Sequence, residues 1–414
     1  MLTGFKNKKF ALIGDAPSHE FSTRLQGMLA DYEYSYIKAT KRTLNQLISD
    51  VEYDGFNVTY PLKEAVIPHL SSMSDTARRI GCVNAVVRRD GGLYGENTDY
   101  IGFRTLLSVN KIDPSGKKVI VLGSGATSKA VSAALFDLGA DDVVIVSRNG
   151  DENYSSLDMH DDAAIIVNTT PVGMTPDFTS SPVSLRYFDN LEVVIDVVFD
   201  PFRTELMLRA EEYGIPAIGG LDMLTAHAKA SAELFTGRHI TDLAVSRASA
   251  SLEAEMKNIV LVGMPGCGKS VIAVELAKAL GREVFDTDDE VRHAVGLGIP
   301  EIFELFGEDY FRQKEADIIK NIARGSGAVI AGGAGAILRE DNIKEFRRKS
   351  VVVFLRREVE RLATSKKARS TKNSLLKLYK ERIPLYLAAS DVIVDVADTP
   401  RETVRSIVKA IYRK

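Results

Sequence analysis

The strongest chemical signal in the sequence is Gly263–Ser270, which reads G-M-P-G-C-G-K-S and matches the phosphate-loop pattern G-x-x-x-x-G-K-[ST]. It follows an apolar, strand-like run, Ile259–Gly263, and precedes Val271–Leu280, which has helical spacing. Glycines let the backbone wrap a phosphate closely, and a helix N-terminus offers free N–H groups. We therefore expect Lys269 to contact the β- and γ-phosphates of a nucleotide, and Ser270 to bind Mg²⁺. Further nucleotide contacts are expected from Gly266, Cys267 and Gly268, with no catalytic role for the cysteine.

Two aspartates follow the next apolar residues, in the segment F-D-T-D-D-E at Phe285–Glu290. We interpret this segment as a strand that ends at the edge of the site, so that Asp286 and Asp288 point to the same side. One of them could support the metal ion, and the other could accept a hydroxyl proton. The alternative is a solvated acidic loop.

A second glycine-rich loop, G-S-G-A-T, follows the wholly apolar run Val119–Leu122 and opens a predicted helix. Ser128 stands where the third glycine of a dinucleotide-binding fingerprint would be. The next predicted strand ends at Ser147-Arg148-Asn149, and an arginine there suits the 2′-phosphate of NADP(H). The cofactor contacts predicted here come from Gly123, Ser124, Gly125, Ala126, Thr127, Ser147 and Arg148.

The elements that must position these loops are apolar runs alternating with helical segments, which predict α/β units with mainly parallel sheets. The strands are predicted at Phe10–Ile13, Lys118–Leu122, Asp142–Ser147, Ala163–Asn168 and Val193–Val198, and helices at Ser128–Leu138 and in the segment Ala244–Met256. A length of 414 residues suggests two to four domains.

Composition and charge narrow the class of protein further. Hydrophobic residues make up 45% and charged residues 26%, which is ordinary for a globular protein and argues against disorder. No apolar stretch approaches the roughly 20 residues of a membrane helix. The two cysteines, Cys82 and Cys267, are far apart, so we expect a reducing cytoplasm. Residues 1–250 carry a formal charge of −8 and residues 251–414 one of +5, which suggests two units with different ligands. The basic segment Arg356–Lys380 lacks interleaved aromatics, so nucleic acid is not an expected partner.

Three further motifs complete a resemblance in the second half of the chain. They are G-E-D-Y-F-R at Gly307–Arg312, V-I-A-G-G-A-G-A-I-L at Val329–Leu338 and E-R-I-P-L-Y at Glu381–Tyr386. With the phosphate loop and the D-x-D segment, residues 257–414 resemble shikimate kinase. The resemblance implies that Asp288 orients the attacking hydroxyl and that Asp286 supports the metal. It also implies that shikimate is held by Arg312, Gly333, Ala334, Gly335 and Arg382.

Two features depart from the kinase pattern. Ala334 replaces the middle glycine of a triple-glycine turn, so a methyl group stands where the substrate is approached. The lid segment is short, and Arg369 is our candidate for the arginine that covers the transferring phosphate. Lys366, Lys367 and Lys372 are alternatives.

The first half of the chain resembles shikimate dehydrogenase over roughly residues 8–240. The motifs that carry the resemblance are F-N-V-T-Y-P-L-K at Phe56–Lys63, I-G-C-V-N-A-V-V at Ile80–Val87, G-E-N-T-D-Y-I-G-F at Gly95–Phe103, N-T-T-P-V-G-M at Asn168–Met174, D-V-V-F-D-P at Asp196–Pro201 and G-L-D-M-L at Gly220–Leu224. The resemblance implies that Lys63 is the acid/base, with Asp99 as its partner. It further implies substrate contacts from Ser22, Thr59 and Asn84, and cofactor contacts from Val197 and Gly220.

Three substrate-contact positions differ from the dehydrogenase pattern. Glu20 replaces a serine, Phe199 a tyrosine and His227 a glutamine. Either the pocket has been rebuilt, with Glu20 paired to His227, or the dehydrogenase is weak or altered in specificity.

These observations predict an α/β protein with a two-lobed dehydrogenase, whose NADP lobe is Rossmann-like, followed by a phosphate-loop kinase domain with a parallel sheet. The expected divisions are a substrate-binding lobe at 1–105, an NADP lobe at 106–245 whose last helix could return to the first lobe, a linker at 246–256 and the kinase at 257–414. The hypothesis is a bifunctional enzyme that reduces 3-dehydroshikimate with NADPH and phosphorylates the resulting shikimate with Mg-ATP. The alternative is an active kinase fused to a non-catalytic or quinate-like dehydrogenase module. No membrane partner is expected, and an oligomer is compatible with the sequence.

Overall fold

A computed structural model describes residues 4–15, 19–362 and 372–412. The chain divides into two compact units, Met1–Leu252 and Glu253–Lys414. The strands of the first unit are β1 (Lys9–Gly14), β2 (Glu33–Lys38), β3 (Gly55–Val58), β4 (Ser72–Met73), β5 (Ala85–Arg89), β6 (Gly92–Glu96), β7 (Lys118–Leu122), β8 (Asp142–Val146), β9 (Ile165–Asn168), β10 (Val193–Asp196) and β11 (Ala217–Ile218). Its helices are α1 (His19–Leu29), α2 (Leu44–Ser49), α3 (Asp75–Ile80), α4 (Thr98–Val109), α5 (Ala126–Asp137), α6 (Glu205–Glu212), α7 (Leu221–Thr236) and α8 (Asp242–Met256).

The first sheet of unit 1 is mixed and has the strand order β2-β1-β3-β5-β6-β4. Strands β1, β2 and β3 pair in parallel, whereas β5 pairs antiparallel with both β3 and β6. Side chains such as Ile13, Phe56 and Val86 form its core and are almost fully buried. The turn that follows β3 and the helix that follows β6 therefore emerge close together, because β5 places these two strands on either side of itself.

The second sheet of unit 1 is parallel, with the order β11-β10-β9-β7-β8. Strand β7 reads K-V-I-V-L, and its last four residues are buried, as expected for a parallel strand covered on both faces. From β7 the chain passes to β8, on one side of β7, and then crosses to β9, on the other side. The carboxyl end of β7 therefore lies at the point where the strand order reverses. Ligands of doubly wound sheets bind at this point.

Helix α7 returns from the second sheet to the first. Phe235 of α7 stacks on Phe10 of β1, with ring centroids 4.3 Å apart and an angle of 12° between the rings. Asn57 of β3 donates to the Ser231 hydroxyl of α7 at 2.8 Å. One face of α7 is therefore in contact with the strand that precedes the proposed catalytic lysine.

Unit 2 contains one parallel sheet, with the strand order β13-β14-β12-β15-β16. Its strands are β12 (Asn258–Val262), β13 (Val284–Asp286), β14 (Val329–Ala331), β15 (Ser350–Arg356) and β16 (Val392–Asp395). Its helices are α9 (Lys269–Leu280), α10 (Thr287–Val295), α11 (Ile299–Ala323), α12 (Glu340–Lys349), α13 (Val359–Leu362), α14 (Lys372–Ala389) and α15 (Pro400–Tyr412). Strand β12 is central and fully buried, so the loop that follows it opens at the middle of the sheet edge.

The α/β architecture and the parallel sheets confirm the fold class predicted from the sequence. Small differences occur at the ends of elements: α5 begins at Ala126, before the predicted Ser128, and β10 ends at Asp196. Residues 246–256, predicted as a linker, lie in α8. No helix among the described ranges is long and apolar enough to cross a membrane.

Close packing of α4 on α7 generates a prediction at Gly102. A methyl group there would come within 2.8 Å of the Met223 carbonyl oxygen and 3.2 Å of the His227 Cβ. Gly27 lies in the last turn of α1 with no atom within 4 Å of such a methyl group, and it is the matched control. We expect Gly102→Ala to lower the free energy of unfolding by about 1–3 kcal/mol relative to Gly27→Ala, because both gain helix propensity and only the first is overpacked. Urea titration followed by circular dichroism measures this difference, and equal midpoints for the two variants would contradict it.

Candidate functional site

A buried ion pair lies at the centre of unit 1. Lys63, in the turn after β3, places its Nζ 2.6 Å from the Asp99 Oδ2, in the first turn of α4. The two side chains are only 16% and 10% exposed. The sequence therefore identified two residues, 36 positions apart, that the fold brings into direct contact. An ammonium held against a carboxylate and shielded from water is suited to donate and accept a proton at a defined position.

Asn84 orients the other oxygen of this carboxylate. Its Oδ1 accepts from the Thr98 backbone N–H at 2.6 Å, so its amide nitrogen must face the opposite way. That nitrogen donates to Asp99 Oδ1 at 2.8 Å. Burial alone would raise the pKa of Asp99, but the Lys63 ammonium, the His227 ring and the two hydrogen bonds outweigh it, and the pKa is lowered. The carboxylate therefore stays ionised beside Lys63.

His227 of α7 borders the same ion pair. Burial lowers the pKa of its ring, the Lys63 charge lowers it further, and the Asp99 charge opposes both. Its Nδ1 is buried without a hydrogen-bond partner in the structure. The ring is therefore neutral at pH 7, and among the described residues the hydrogen-bonding capacity of Nδ1 is not satisfied.

The pairing of Glu20 with His227, one of the two alternatives that the sequence left open, does not occur among the described residues. Glu20 lies in the first turn of α1 and is exposed, while His227 is held against α4 next to Gly102. Phe199 packs edge-to-face on Phe21, with centroids 5.9 Å apart. The aromatic pair replaces the polar contacts that hydroxyl side chains could make at this point. Ser22, on α1, and Thr59, after β3, are both half-buried.

The glycine-rich loop after β7 has the conformation that close approach of a phosphate requires. Gly123 has φ +109°, and a side chain there would contact the Thr169 hydroxyl at 2.9 Å. Gly125 caps α5 without a side-chain hydrogen bond, so the first N–H groups of the helix remain available to an anion. Ser124 is exposed, and Ala126 and Thr127 form the first turn of the helix.

Arg148 stands at the end of the neighbouring strand β8. It is exposed and forms no ion pair within the part of the chain that the structure describes, whereas the adjacent Ser147 is buried. An exposed guanidinium in this position suits a terminal phosphate. On the other side of the loop, Gly220 packs so closely on Val197 that a side chain would overlap the Val197 carbonyl oxygen.

A buried carboxyl group, which was not among the residues predicted from the sequence, joins these loops through hydrogen bonds. Asp196, the last residue of β10, accepts from Asn168 Nδ2 at 3.0 Å, from the Val198 N–H at 3.1 Å and from the Thr204 hydroxyl at 2.7 Å. Burial raises the pKa of Asp196 to about 7, although these hydrogen bonds favour the ionised form. The motifs around Asn168 and Asp196 contained this pair, but only the alignment of β9 and β10 shows that they touch.

The loop after β12 in unit 2 is built for a polyphosphate. Gly266 and Gly268 have φ values of +80° and +101°, and Gly268 caps α9 without a side-chain bond. The Lys269 Nζ donates to the Gly263 carbonyl at 2.9 Å and to the Met264 carbonyl at 3.3 Å. Cys267 is fully buried beneath the loop, which agrees with a packing role.

Asp286 and Asp288 do not lie on one strand, so that prediction is wrong. Strand β13 ends at Asp286, whose side chain caps α10 by accepting from the Asp288 N–H at 3.1 Å. Asp288 therefore lies in the first helical turn. Burial and the nearby Asp286 raise the pKa of Asp288, while Lys269 and Arg312 lower it, and the net shift is upward. Ser270, the last residue of the phosphate-loop motif, is half-buried, and Asp286 stands at the end of β13.

Arg312 reaches the same place from α11. It donates to Glu315 at 2.7 Å and to Glu308 at 3.0 Å, and its guanidinium lies directly over Gly335. Glu315 is fully buried, and one of its carboxylate oxygens has no partner in the structure. Gly333 lies against both Glu315 and Asp288, so a side chain there would overlap them.

Arg382 and Tyr386 approach from α14. Both donate to the Ala334 carbonyl oxygen, at 2.9 Å and 2.8 Å. The fold thus brings together six of the predicted kinase residues, namely Asp288, Arg312, Gly333, Ala334, Gly335 and Arg382. Arg369, Lys366 and Lys367 lie outside the described residues, and Lys372 is the first residue of α14.

Comparison with known proteins agrees with this division. The family model for the shikimate dehydrogenase substrate binding domain matches residues 17–86, and the model for shikimate kinase matches residues 265–412. A shikimate dehydrogenase (NADP(+)) from Clostridium perfringens is 30% identical over 251 residues, which is 56% of this chain and 93% of the relative. One from Crocosphaera subtropica is 31% identical over 280 residues, 60% of this chain and 97% of the relative.

This chain belongs to the shikimate dehydrogenase family. Its second unit is a shikimate kinase domain, and the protein is an enzyme with both activities, shikimate dehydrogenase (NADP+) and shikimate kinase.

Solved structures place the likeness over the first unit. A chorismate mutase/shikimate 5-dehydrogenase fusion protein from Clostridium acetobutylicum has a TM-score of 0.57 at 30% identity, covering 60% of this chain and 97% of its own. A shikimate 5-dehydrogenase from Thermus thermophilus, solved in complex with NADP(H) and shikimate, has a TM-score of 0.53 at 27% identity, covering 59% of this chain and 99% of its own. This chain therefore covers nearly the whole length of these solved dehydrogenases, and its residues 265–412 match the shikimate kinase model in addition.

Several residues of the two sites escaped the sequence reasoning. In the dehydrogenase, Asn57 donates to the Asn84 carbonyl and to Ser231, and Thr98 donates to the Asn84 side chain. In the kinase domain, Glu315 accepts a hydrogen bond from Arg312, and Tyr386 donates one to the Ala334 carbonyl oxygen. Arg312 and Ala334 were both predicted from the sequence. Helical spacing was the available signal for Glu315 and Tyr386, because Glu315 follows Arg312 by three residues and Tyr386 follows Arg382 by four.

The raised pKa of Asp196 predicts a pH-dependent stability. Between pH 3.8 and about 7 the folded dehydrogenase holds a proton on Asp196 that the unfolded chain has lost, so its stability falls as the pH rises through this window. The loss amounts to up to about 4 kcal/mol relative to Asp196→Asn, which carries no charge at any pH. Urea titrations of both proteins from about pH 4 to about pH 7.5 measure it, with exposed Asp189→Asn as the control. Parallel curves for the wild type and Asp196→Asn would contradict the prediction.

Proposed function

We propose that this chain is a bifunctional enzyme of the shikimate pathway that catalyses two consecutive reactions. The dehydrogenase unit reduces 3-dehydroshikimate to shikimate with NADPH, and the kinase unit transfers a phosphoryl group from ATP to give shikimate 3-phosphate. The observation that carries the proposal is the buried Lys63–Asp99 pair in a chain that also holds an intact phosphate loop beside Asp288 and two arginines. The hydroxyl made by the first reaction is the one phosphorylated in the second.

In the dehydrogenase the chain's own residues handle the proton. NADPH, when bound, supplies the hydride for the ketone carbon. Lys63 donates a proton to the ketone oxygen, and Asp99 holds the ammonium in place and stabilises its charge. Asn84 keeps Asp99 in a single orientation, and the neutral His227 ring lies beside the ion pair.

The cofactor residues fit NADP(H). The first turn of α5 leaves its N–H groups open for the pyrophosphate, and Arg148 offers an uncompensated positive charge for the 2′-phosphate. The contact between Gly220 and Val197 brings backbone rather than side chain to the edge of this site. We assign the substrate lobe to 1–105, the NADP lobe to 106–245, the connection to 246–256 and the kinase to 257–414. The two sheets of unit 1 and the return of α7 to β1 support this assignment.

In the kinase unit, the residues of the site position the phosphates of ATP, the carboxylate of shikimate and the hydroxyl of shikimate that attacks. Lys269, now bonded to loop carbonyls, can turn to the β- and γ-phosphates. Arg312 and Arg382 can grip the shikimate carboxylate, and Asp288 can accept the hydroxyl proton. The raised pKa of Asp288 makes it a better proton acceptor than an exposed aspartate.

The donor set also fits Mg²⁺. This ion binds through one or two protein oxygens together with phosphate oxygens and water. Ser270 and Asp286 would hold it, and within the described ranges no cluster of three or more metal-ligating side chains competes for that role. Mg²⁺ would neutralise charge on the transferring phosphate.

The decisive experiment is one incubation of the purified protein with 3-dehydroshikimate, NADPH and Mg-ATP, with the products identified by mass spectrometry. We expect shikimate 3-phosphate. Lys63→Ala should lower the dehydrogenase rate at least about 100-fold and leave phosphorylation of added shikimate intact. Lys269→Ala should do the reverse, so that shikimate accumulates. Phosphorylation of added shikimate without reduction of 3-dehydroshikimate would overturn the first half of the proposal, and quinate would then be the next substrate to test.

His227 generates a separate prediction for the dehydrogenase. Its pKa lies below 6.5 because of burial and Lys63, so the ring gains a charge only as the pH falls below that value. A second cation beside Lys63 should then weaken substrate binding and proton donation. We expect kcat/KM for 3-dehydroshikimate to fall on the acid side in the wild type and to lose this limb in His227→Gln. The kinase rate of each protein, measured at the same pH values, is the control. An identical acid limb in both proteins would show that another group controls it.

A further inference from the structure

The turn Gly333–Gly335, here called the substrate turn, is held from several directions. The Thr287 hydroxyl accepts from the Gly333 N–H at 2.7 Å, and the Arg312 guanidinium covers Gly335. The carbonyl oxygen of Ala334, between them, accepts from both Arg382 and Tyr386. The turn therefore lies against most of the groups that the proposed kinase reaction uses, and its position affects them all.

Tyr386 is the less movable of the two donors to Ala334. Its side chain is fully buried, and its ring stacks on Phe354 with centroids 5.1 Å apart and an angle of 9° between the planes. Burial raises the pKa of Tyr386 well above its ordinary value, so the hydroxyl keeps the proton that it donates. Arg382 is only partly buried and reaches the same carbonyl from a longer, flexible side chain.

Arg382 has two acceptors to satisfy if it also binds a carboxylate. In this structure its Nη1 is bonded to the Ala334 carbonyl. A bidentate grip on a carboxylate takes two of the five guanidinium N–H groups. Turning the guanidinium plane toward a carboxylate moves Nη1 away from the carbonyl, and the existing bond is then stretched or broken. A carbonyl that loses its donor while covered by protein is costly to leave unpaired.

We propose that Tyr386 is a positioning residue that keeps the Ala334 carbonyl paired while Arg382 turns from it to the substrate carboxylate. This inference rests on the proposed function, because it takes an anionic substrate at Arg382. The tyrosine hydroxyl lowers the cost of the exchange: one hydrogen bond to the carbonyl persists, and the substrate turn stays in place against Asp288 and Arg312. Without the hydroxyl, Arg382 is the only side chain bonded to that carbonyl among the described residues, and the substrate must compete for it.

The test is Tyr386→Phe in the full chain, with Tyr379→Phe as the matched control. Tyr379 lies on the same helix, packs against the same core, and shows no hydroxyl hydrogen bond within the described residues. Titration calorimetry with shikimate in the absence of ATP measures binding without turnover. We expect about tenfold weaker shikimate binding and a similar rise in its KM for Tyr386→Phe. The KM for ATP and kcat should change by less than about threefold, and Tyr379→Phe should match the wild type.

A double variant separates positioning from general damage. In an Arg382→Ala background no exchange takes place, so adding Tyr386→Phe should change shikimate binding by less than about twofold. Unchanged binding in Tyr386→Phe, equal losses for shikimate and ATP, or a full tenfold loss in the Arg382→Ala background would each overturn the inference. Thermal melting of every variant identifies loss of folding. Absence of shikimate binding by the wild type would instead overturn the proposed kinase substrate, and this inference with it.

Discussion

The dehydrogenase unit shields the Lys63 ammonium and the Asp99 carboxylate from water, and the structure around the pair depends on this requirement. A buried charge is tolerated only when it is paired and its remaining hydrogen-bonding capacity is satisfied. Asn84 satisfies the second carboxylate oxygen, the Thr98 N–H fixes the amide of Asn84, and Asn57 holds the Asn84 backbone. Strand β5 places these groups between the turn after β3 and the start of α4. The mixed sheet therefore does more than form a core, because its antiparallel pairs bring the two ends of the ion pair together.

The kinase unit handles its charges differently. Arg312 is paired with two glutamates, Lys269 is folded onto loop carbonyls, and Arg382 is bonded to a turn. Each cation that the proposed reaction needs thus has a protein partner that an anionic ligand can replace. The orphaned oxygen of Glu315 and the raised pKa of Asp288 show where burial leaves the site short of positive charge or hydrogen-bond donors. A polar substrate with hydroxyl groups would supply such donors.

The two units share one feature of backbone geometry, although their folds differ. In both, an interior buried strand is followed by a glycine with positive φ, and then by a helix whose first N–H groups have no side-chain cap. Interior strands are covered on both faces, and their loops open at the carboxyl edge of the sheet, where helix N-termini converge. The dinucleotide loop and the phosphate loop are thus two uses of one physical arrangement. What distinguishes them is the residues added around it: Arg148 and the Asp196 network in one, and Asp288 with its arginines in the other.

The sequence by itself determined the fold class and the order of the two units, and it supplied the candidates for the reactive groups, because these depend on local patterns. Apolar runs specify buried strands, glycine spacing specifies phosphate loops, and the N-T-D and R-x-P-L-Y motifs contain Asp99 and Arg382. The sequence did not determine which side chains meet. It placed Asp286 and Asp288 on one strand, whereas the Asp286 carboxylate caps a helix that begins one residue later. It offered a Glu20–His227 pair as one of two alternatives, whereas His227 lies beside the Lys63–Asp99 pair and Glu20 is exposed. Asn57, Ser231, Glu315 and Tyr386 gain their roles only from contacts between distant segments, and such contacts are set by packing and hydrogen-bond geometry in three dimensions.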